Sequence, residues 1–235
     1  RMATPLLFCA LAGLLSERSG VIDIGLEGKM LFAAFAAGAA GAALGSTSLA
    51  VACAIGVSIL LSWMHGLACV SYRGDQVVSG IAINIISVGL TMVLGIAWFA
   101  QGGQTPPVST EVRIQALWPQ AQDAFANWPW LQAIVGEGLL SHNALVYLAL
   151  ALVPTTWWLL FKTRFGLRLR AVGENPHMVD AAGVSVHGLR YTALTLNGVL
   201  CGLAGSYLVL AQSAAFSSNM TAGRGFMALA ALIFG

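Results

Sequence analysis

The sequence predicts an all-α, polytopic membrane protein with about six to seven membrane segments, including a broken helix near the N-terminus. Hydrophobic residues make up 58% of the 235 positions and charged residues only 9%, whereas soluble domains carry about a quarter charged residues. The mean hydropathy is +0.81. The apolar residues are gathered into long runs, with most of the charged residues between them. Together these features exclude an ordinary soluble domain.

Four apolar runs are long enough to cross a bilayer as helices, since a span needs about 20 residues. They cover residues 48–70, 77–100, 143–161 and 191–213. Two shorter runs precede them, at 2–15 and 30–45. A last run over 225–235 is too short to span. We therefore expect one transmembrane domain over 1–235 that is cut off inside a membrane helix, and Arg1 before Met2 suggests trimming at the start as well.

The basic residues are unevenly divided between the two longest polar segments. The segment 162–190 holds five of the 11 Lys and Arg residues, namely Lys162, Arg164, Arg168, Arg170 and Arg190. The segment 101–142 holds only Arg113. Since loops rich in Lys and Arg stay on the cytoplasmic side, we predict that 162–190 is cytoplasmic and 101–142 external. A purely topogenic role for these basic residues remains an alternative.

The external segment 101–142 carries prolines and tryptophans along its length. Prolines exclude one long helix, and tryptophans favour the headgroup level of a membrane. We therefore expect short interfacial helices that lie over the mouth of the membrane domain.

A charged stretch with several glycines separates the first two apolar runs. Residues 14–28 read LLSERSGVIDIGLEG and place Asp23 and Glu27 among three glycines. Charges at membrane depth are costly and usually functional, and non-helical backbone is tolerated there where it is buried in protein or lines a cavity. Asp23 and Glu27 could therefore lie on a discontinuous helix beside a translocation path. The same spacing equally suits a plain cytoplasmic turn between two helices.

A short helix is predicted inside 162–190. Asn175 is a favoured N-cap, Pro176 is a favoured first helical residue, and Gly183 is placed to end the helix. These signals predict about two turns over 176–182. Since so short a helix is not stable alone in water, it must dock either on its own transmembrane helices or on a partner protein.

Polar side chains within the spans are candidates for lining a translocation path. Asn84, Ser87 and Thr91 follow an i, i+3, i+7 spacing, which places them on one helical face. Asn197 lies within another span. Interhelical hydrogen bonding is the alternative role for all four residues.

The sequence contains no motif for catalysis or nucleotide binding. Walker A, GxSxG, HExxH and GxGxxG patterns are all absent. The four cysteines lie in apolar runs and the four histidines form no ligand cluster. We therefore predict neither catalytic residues nor a metal site, and the net charge of +2 is too small to suggest nucleic acid as a partner.

Four stretches of the chain resemble one protein family. They read LLSERSGVIDIGLEGKM (14–30), QVVSGIAINIISVGLT (76–91), RAVGENPHMVDAAGVSVHGLRY (170–191) and GRGFMALAALIFG (223–235). Together they resemble the permeases of bacterial ABC importers, in the branch that serves branched-chain amino acids, ribose-type sugars and nucleosides. Within that branch the chain is most similar to nucleoside and simple-sugar permeases. The resemblance covers essentially the whole chain, and the combination of stretches is highly specific.

The resemblance implies that the short helix is a coupling helix, which sits in a cleft of a cytoplasmic ATPase subunit. Its DAAG element is similar to the EAA–G element of importer permeases, with Asp where Glu is common. The implied coupling residues are Gly173, Glu174, Asn175, Pro176, Asp180, Ala181, Ala182 and Gly183. The resemblance also implies that Asp23 and Glu27 lie in a broken membrane segment near the path.

A permease of this kind implies several partners in the bacterial inner membrane. They are the cytoplasmic ATP-binding subunit, a second permease subunit, an extracytoplasmic solute-binding protein and the lipid bilayer. ATP and Mg²⁺ would be bound by the ATPase subunit, and no cofactor by this chain. We therefore predict a translocation subunit, not an enzyme, that moves a small polar solute, with a nucleoside or a simple sugar favoured. An ion-gradient-driven secondary transporter or channel is the alternative.

Overall fold

The computed structural model describes residues 2–115 and 142–234. Within these two ranges the chain is helical and contains no β-strand. The helices are α1 Ala3–Glu17, α2 Leu26–Leu44, α3 Thr47–Gly66, α4 Gln76–Phe99, α5 Ala144–Lys162, α6 Arg164–Glu174, α7 Pro176–Ala181, α8 Val186–Tyr207 and α9 Arg224–Phe234. The interfacial helices expected in 101–142 fall largely between 116 and 141, outside the described residues.

The four predicted spans are confirmed. In the described ranges, the helices that are long and apolar enough to cross a membrane are Thr47–Ser71, Gln76–Phe99, Ala144–Lys162 and Val186–Ser213. The first and the last of these end in single π-helical turns, Leu67–Ser71 and Leu208–Ser213. Together with the shorter apolar helices α1 and α9, they make an all-α polytopic membrane fold.

Helix α8 occupies the middle of the bundle. In the most apolar 18 residues of the span Val186–Ser213, 78% of the residues are buried, compared with 22% in the same length of the span Gln76–Phe99. Close packing against α3 depends on two glycines: a Cβ added to Gly198 would lie 2.7 Å from the Ile59 Cα, and one added to Gly202 would lie 2.6 Å from the Ile55 Cα. Small residues at such positions let two helix backbones touch in a membrane protein.

The helices alternate between two ends of the bundle. At one end, the Arg190 Nε donates a hydrogen bond to the Ser19 carbonyl oxygen at 3.3 Å. At the other end, the Val108 N–H donates to the Ala214 carbonyl oxygen at 2.7 Å. We call the first the basic end, because it carries 162–190, and the second the opposite end. The two long polar segments therefore leave the bundle on different sides, as the alternation of the spans requires.

The connection between α1 and α2, residues 18–25, turns back into the bundle. Glu17 and Arg18 are exposed, whereas Ser19 and Asp23 are buried. Gly20 reverses the chain with a φ of +79°, a conformation that glycine adopts without strain. The connection thus combines both alternatives read from the sequence: a solvated turn comes first, and buried non-helical backbone follows it.

A second non-helical segment, 214–223, enters the bundle from the opposite end. It begins beside Val108 and ends at Gly223, whose N–H reaches the Glu27 side chain. Helix α9 then runs towards the basic end, where Leu232 and Leu14 line the same cavity. The two irregular segments therefore approach each other at the start of α2.

Candidate functional site

A buried ion pair closes the connection between α1 and α2. The Lys29 Nζ lies 2.5 Å from an oxygen of Asp23, and neither side chain is exposed. The other Asp23 oxygen accepts a hydrogen bond from the Gly25 N–H at 3.0 Å. Since a buried charge without a partner is strongly destabilising, Asp23 and Lys29 depend on each other for their place inside the bundle. Sequence reasoning singled out Asp23 but not Lys29.

Asn197 of α8 extends this polar cluster to two further helices. Its Oδ1 accepts from the Lys29 Nζ at 3.3 Å and from the Ser62 hydroxyl at 3.3 Å. Its Nδ2 donates to the Ala12 carbonyl oxygen at 3.0 Å. Asn197 is fully buried and so connects α1, α2, α3 and α8. The structure places it in the interhelical role that the sequence left open beside path lining.

The three polar residues of α4 share a face that is turned towards the bundle. Ser87 and Thr91 are buried, and Asn84 is half-buried. The Thr91 hydroxyl donates within its own helix, to the Val88 carbonyl oxygen at 3.0 Å. The Ser87 hydroxyl has no hydrogen-bond partner among the described residues. Asn84 also lines a cavity.

Asn84 holds the end of the connection against α4. Its Oδ1 accepts from the Gly28 N–H at 2.7 Å, and its Nδ2 donates to the Ile24 carbonyl oxygen at 3.1 Å. A Cβ added to Gly28 would lie 2.8 Å from the Asn84 Cα. The amide therefore satisfies backbone groups that the interrupted helix leaves open.

Glu27 bridges the two irregular segments. It lies in the first turn of α2, which begins at Leu26, so the helix starts earlier than the apolar run that predicted it. Its carboxylate accepts from the Gly223 N–H at 2.9 Å and from the Gly225 N–H at 2.6 Å. Those N–H groups belong to the start of α9, where a carboxylate is favoured by the exposed donors and the helix dipole.

A cavity of about 340 Å³ opens beside Glu27. Its polar lining comes from Glu27, Asn84, Asn219 and Thr221, and its apolar lining includes Leu31 and Phe226. Sequence reasoning missed Asn219, Thr221 and Phe226. Their only signal was a short Ser-, Asn-, Thr- and Gly-containing stretch between two apolar runs, which is also typical of an ordinary loop.

A larger cavity, of about 720 Å³, lies between α2, α3 and α4. Its lining is almost entirely apolar, with Phe35 and Trp98 among its walls. Such a surface offers few hydrogen bonds to a polar solute, so we regard the smaller cavity as the candidate solute site.

The cytoplasmic segment predicted over 162–190 contains two helices instead of one. Thr163 caps α6, and its hydroxyl accepts from the Gly166 N–H at 3.1 Å. Near the end of α6, Gly173 meets the connection: a Cβ added there would lie 2.5 Å from the Arg18 carbonyl oxygen. The segment before the short helix therefore rests directly on the backbone that leads to Asp23.

The short helix α7 has the caps that the sequence predicts. The Asn175 side chain accepts from the Met178 N–H at 3.2 Å, and Pro176 is the first helical residue. Gly183 follows with a φ of +78°. The helix ends at Ala181, one residue earlier than predicted, because Ala182 forms its C-cap.

No residue of α7 is buried within the described chain, and Met178 is 71% exposed. The predicted coupling residues are exposed as well, except Pro176, which is half-buried; the exposed ones are Gly173, Glu174, Asn175, Asp180, Ala181, Ala182 and Gly183. The transmembrane helices therefore cover little of this helix, and its apolar side chains remain available to a partner.

Metal binding has no support in the part of the chain that the structure describes. Residues 2–115 and 142–234 contain no group of three His, Cys, Asp or Glu side chains that could hold an ion. Cys9, Cys53, Cys69 and Cys201 are all free.

Comparison with known proteins places this arrangement in a family. A family model described as branched-chain amino acid transport system / permease component matches residues 1–235. The chain is 36% identical over 244 residues to the nucleoside ABC transporter permease protein NupC of Lactococcus lactis. The aligned region covers 99% of this chain and 72% of that protein. The chain is also 36% identical over 241 residues to the guanosine ABC transporter permease protein NupQ of Bacillus subtilis, again with 99% and 72% covered.

A sugar permease is similar to the same extent. A candidate glucose ABC transporter permease protein of Haloferax volcanii, TsgC13, is 35% identical over 232 residues, which cover 99% of this chain and 67% of that protein. No solved structure matches the chain.

Proposed function

Because the chain belongs to the family of branched-chain amino acid transport system permease components, we propose that it is the membrane-spanning subunit of an ATP-driven importer for a nucleoside or a simple sugar. Its relatives are named as permeases for nucleosides, guanosine and glucose. The observation that carries the proposal is α7, a capped helix without buried residues that lies just beyond the contact between Gly173 and the connection. A separate subunit hydrolyses the ATP.

The ATPase subunit binds α7 at the basic end. An isolated helix of six residues is unstable in water, so α7 gains from a partner that covers Met178 and Val179. Asp180, Ala181 and Ala182 are exposed beside them, and the small alanines leave room for a close-fitting cleft. The excess of basic residues in 162–190 supports a cytoplasmic location for this end, where ATP is available.

Movement of α7 reaches the membrane interior through a short series of contacts. Gly173 bears on Arg18 at the start of the connection, and the connection leads to the buried pair Asp23 and Lys29. Glu27 follows in α2 and binds the start of α9. A displacement of α7 can therefore shift the packing of α2 against α9, and ATP binding favours one of two such packings.

The remaining partners follow from the same proposal. A solute-binding protein delivers the solute at the opposite end, on the external side of a bacterial inner membrane. A second permease subunit completes the pathway, as the family resemblance implies. ATP and Mg²⁺ bind to the ATPase subunits, and this chain holds no cofactor.

Ala182→Glu tests the proposal against the alternative of an ion-gradient-driven transporter. In proteoliposomes that contain the permease with its ATPase subunits and binding protein, ATP-dependent uptake of guanosine or glucose should fall to background, because a bulky charge at the C-cap of α7 blocks docking. His187→Glu is the control, since His187 is exposed on the same segment but outside α7. Uptake that needs an ion gradient, and that survives Ala182→Glu without ATP, would refute the proposal.

A further inference from the structure

His65 is a fully buried histidine in the last turn of α3. Its Nε2 lies 3.2 Å from the Ile22 carbonyl oxygen, in the connection between α1 and α2. Its Nδ1 lies 3.0 Å from the Ser79 hydroxyl oxygen, near the start of α4. One imidazole ring therefore links three elements of the bundle: α3, α4 and the connection.

The two partners determine which ring nitrogen carries the proton. A carbonyl oxygen can only accept a hydrogen bond, so the His65 Nε2 is protonated and donates to Ile22. In the neutral ring the Nδ1 is then an acceptor, and the Ser79 hydroxyl donates to it. The hydrogen bond from Ser79 thereby holds the ring in the orientation that the hydrogen bond to Ile22 requires.

The surroundings of this ring keep it away from any transported solute. His65 has no exposed surface, and the Cys69 sulfur lies 3.7 Å from both ring nitrogens. Each nitrogen already has a protein partner, so neither is left to bind a solute or to carry a proton along the path. The ring is suited to holding elements together instead of lining the path.

Ile22 is also held from α4. Its N–H donates to the Gln76 Oε1 at 2.7 Å, and the Gln76 Nε2 donates to the Gly20 carbonyl oxygen at 3.5 Å. Both backbone groups of Ile22 are thus bonded to side chains of other helices, although its own side chain is 49% exposed. Non-helical backbone needs such partners, and here they determine the position of Ile22 more than the packing of its side chain does.

Ile22 lies between the two parts of the connection that the proposed coupling uses. On one side Gly20 packs against Gly173 of α6. On the other side Asp23 belongs to the buried ion pair. A displacement of α6 therefore reaches Ile22, and with it α3 and α4, before it reaches Asp23. This is a second route from α7 into the membrane, besides the route through α2 to α9.

We infer that His65 is a positioning residue for coupling, which links Ile22 to α3 and α4 so that these helices move together with α6 and α7. Helix α4 carries Asn84, which lines the cavity beside Glu27, so this route ends at the wall of the candidate solute site. The inference rests on the proposed function and deepens it, because it assigns a residue to the transmission of the ATPase movement.

Two amide substitutions separate the link to Ile22 from the other contacts of the ring. The amide nitrogen of glutamine lies about as far from the backbone as the ring Nε2, whereas that of asparagine reaches only as far as the Nδ1. His65→Gln therefore retains a donor for Ile22, and His65→Asn loses it. Asparagine and histidine have similar helix propensities, so a loss in His65→Asn does not come from a weaker α3.

The measurement is the amount of guanosine or glucose taken up for each ATP hydrolysed, in proteoliposomes with the ATPase subunits and the binding protein. This ratio is independent of the fraction of complex that is folded, so a loss of stability alone leaves it unchanged. His65→Asn should lower the ratio about fivefold, the factor that corresponds to one hydrogen bond. His65→Gln should retain it, as should the control Ser58→Ala at another fully buried position of α3.

If His65→Asn does not assemble with its partners, Gln76→Ala tests the same link. Gln76 is half-buried at the start of α4, so its truncation disturbs the fold less. The ratio should fall here as well, because the Ile22 N–H loses its acceptor. Gln101→Ala, the same change at an exposed position just beyond the other end of α4, should leave the ratio unchanged.

The outcomes distinguish this inference from the function that it presupposes. If the unmodified complex shows no ATP-driven uptake of guanosine or glucose, the proposed function fails. If it shows uptake, and His65→Asn and Gln76→Ala have an unchanged ratio, the role of His65 is overturned while the proposed function stands. Equal losses in His65→Asn and His65→Gln would also overturn it, since the loss would not follow the hydrogen bond to Ile22. A loss in His65→Asn that His65→Gln avoids supports the link.

Discussion

Gly20 and Gly173 meet at backbone distance: a Cβ added to Gly20 would lie 3.2 Å from the Gly173 Cα. The contact joins α6, just before the exposed helix α7, to the connection between α1 and α2. Backbone atoms in such a contact cannot yield as the end of a flexible side chain can, so a displacement of one segment moves the other. The two segments therefore form one mechanical unit between the basic end and the buried ion pair.

Gly173→Ala should impair coupling. The added Cβ would lie 2.5 Å from the Arg18 carbonyl oxygen, so the connection must shift. We expect ATP-dependent uptake to fall about 2- to 30-fold, the range that corresponds to the 0.5–2 kcal/mol by which such contacts modulate coupling. Uptake and ATPase activity are measured together in proteoliposomes.

The control for this change is Gly89→Ala in α4. A Cβ there meets no atom within 4 Å, and alanine favours a helix over glycine. Its uptake should equal that of the unmodified protein. Equal uptake in Gly173→Ala and Gly89→Ala would contradict a coupling role for the contact between the two segments.

Lys29→Met should destabilise the protein, because it leaves the Asp23 carboxylate buried without a counter-charge. Breaking a buried ion pair from one side costs about 3–5 kcal/mol. The double variant Asp23→Asn with Lys29→Met removes both charges and should recover much of that loss. Thermal unfolding in detergent measures the three proteins side by side. If the double variant is less stable than Lys29→Met, the pair does not act as proposed.

Local patterns predicted the spans and the short helix because each is specified within a continuous segment. A run of apolar residues defines a span by itself, and Asn175, Pro176 and Gly183 define α7 within nine residues. Neither feature requires knowledge of what packs against it. This is why the four spans were predicted to within a few residues, and the end of α7 to within one.

Contacts between distant segments could not be predicted in the same way. Glu27 accepts from Gly225, 198 residues further along the chain, and nothing near Glu27 indicates that partner. Residues 164–174, which form α6, were likewise interpreted as part of a polar loop, because their arginines concealed the buried Leu169 and Val172. Tertiary packing determines these contacts, so sequence patterns showed that Glu27 was unusual without showing what it binds.

Glu27→Gln should loosen the start of α9. One carboxylate oxygen becomes an NH₂ group, which cannot accept from Gly223 or Gly225, and the loss of a charged acceptor costs about 1.5–3 kcal/mol. Hydrogen exchange at the first residues of α9 should therefore quicken by at least about tenfold. Glu17→Gln is the control, since Glu17 is exposed. Unchanged exchange in Glu27→Gln would show that the carboxylate does not hold α9.

Asn175→Ala should weaken the association with the ATPase subunit. The Asn175 side chain accepts from the Met178 N–H at 3.2 Å, and loss of an N-cap costs about 1 kcal/mol. A helix of six residues has few other bonds to maintain it, so most of this cost reduces the population of folded α7. The affinity of the permease for the ATPase subunit should then fall about fivefold.

Asn175→Asp separates the cap from other effects at this position. Aspartate is as good an N-cap as asparagine, so it should retain the affinity that alanine loses. Titration of the labelled ATPase subunit against permease in nanodiscs measures both variants under identical conditions. Equal losses in Asn175→Ala and Asn175→Asp would mean that the asparagine amide contacts the ATPase directly, and preorganisation of α7 would then not explain its effect.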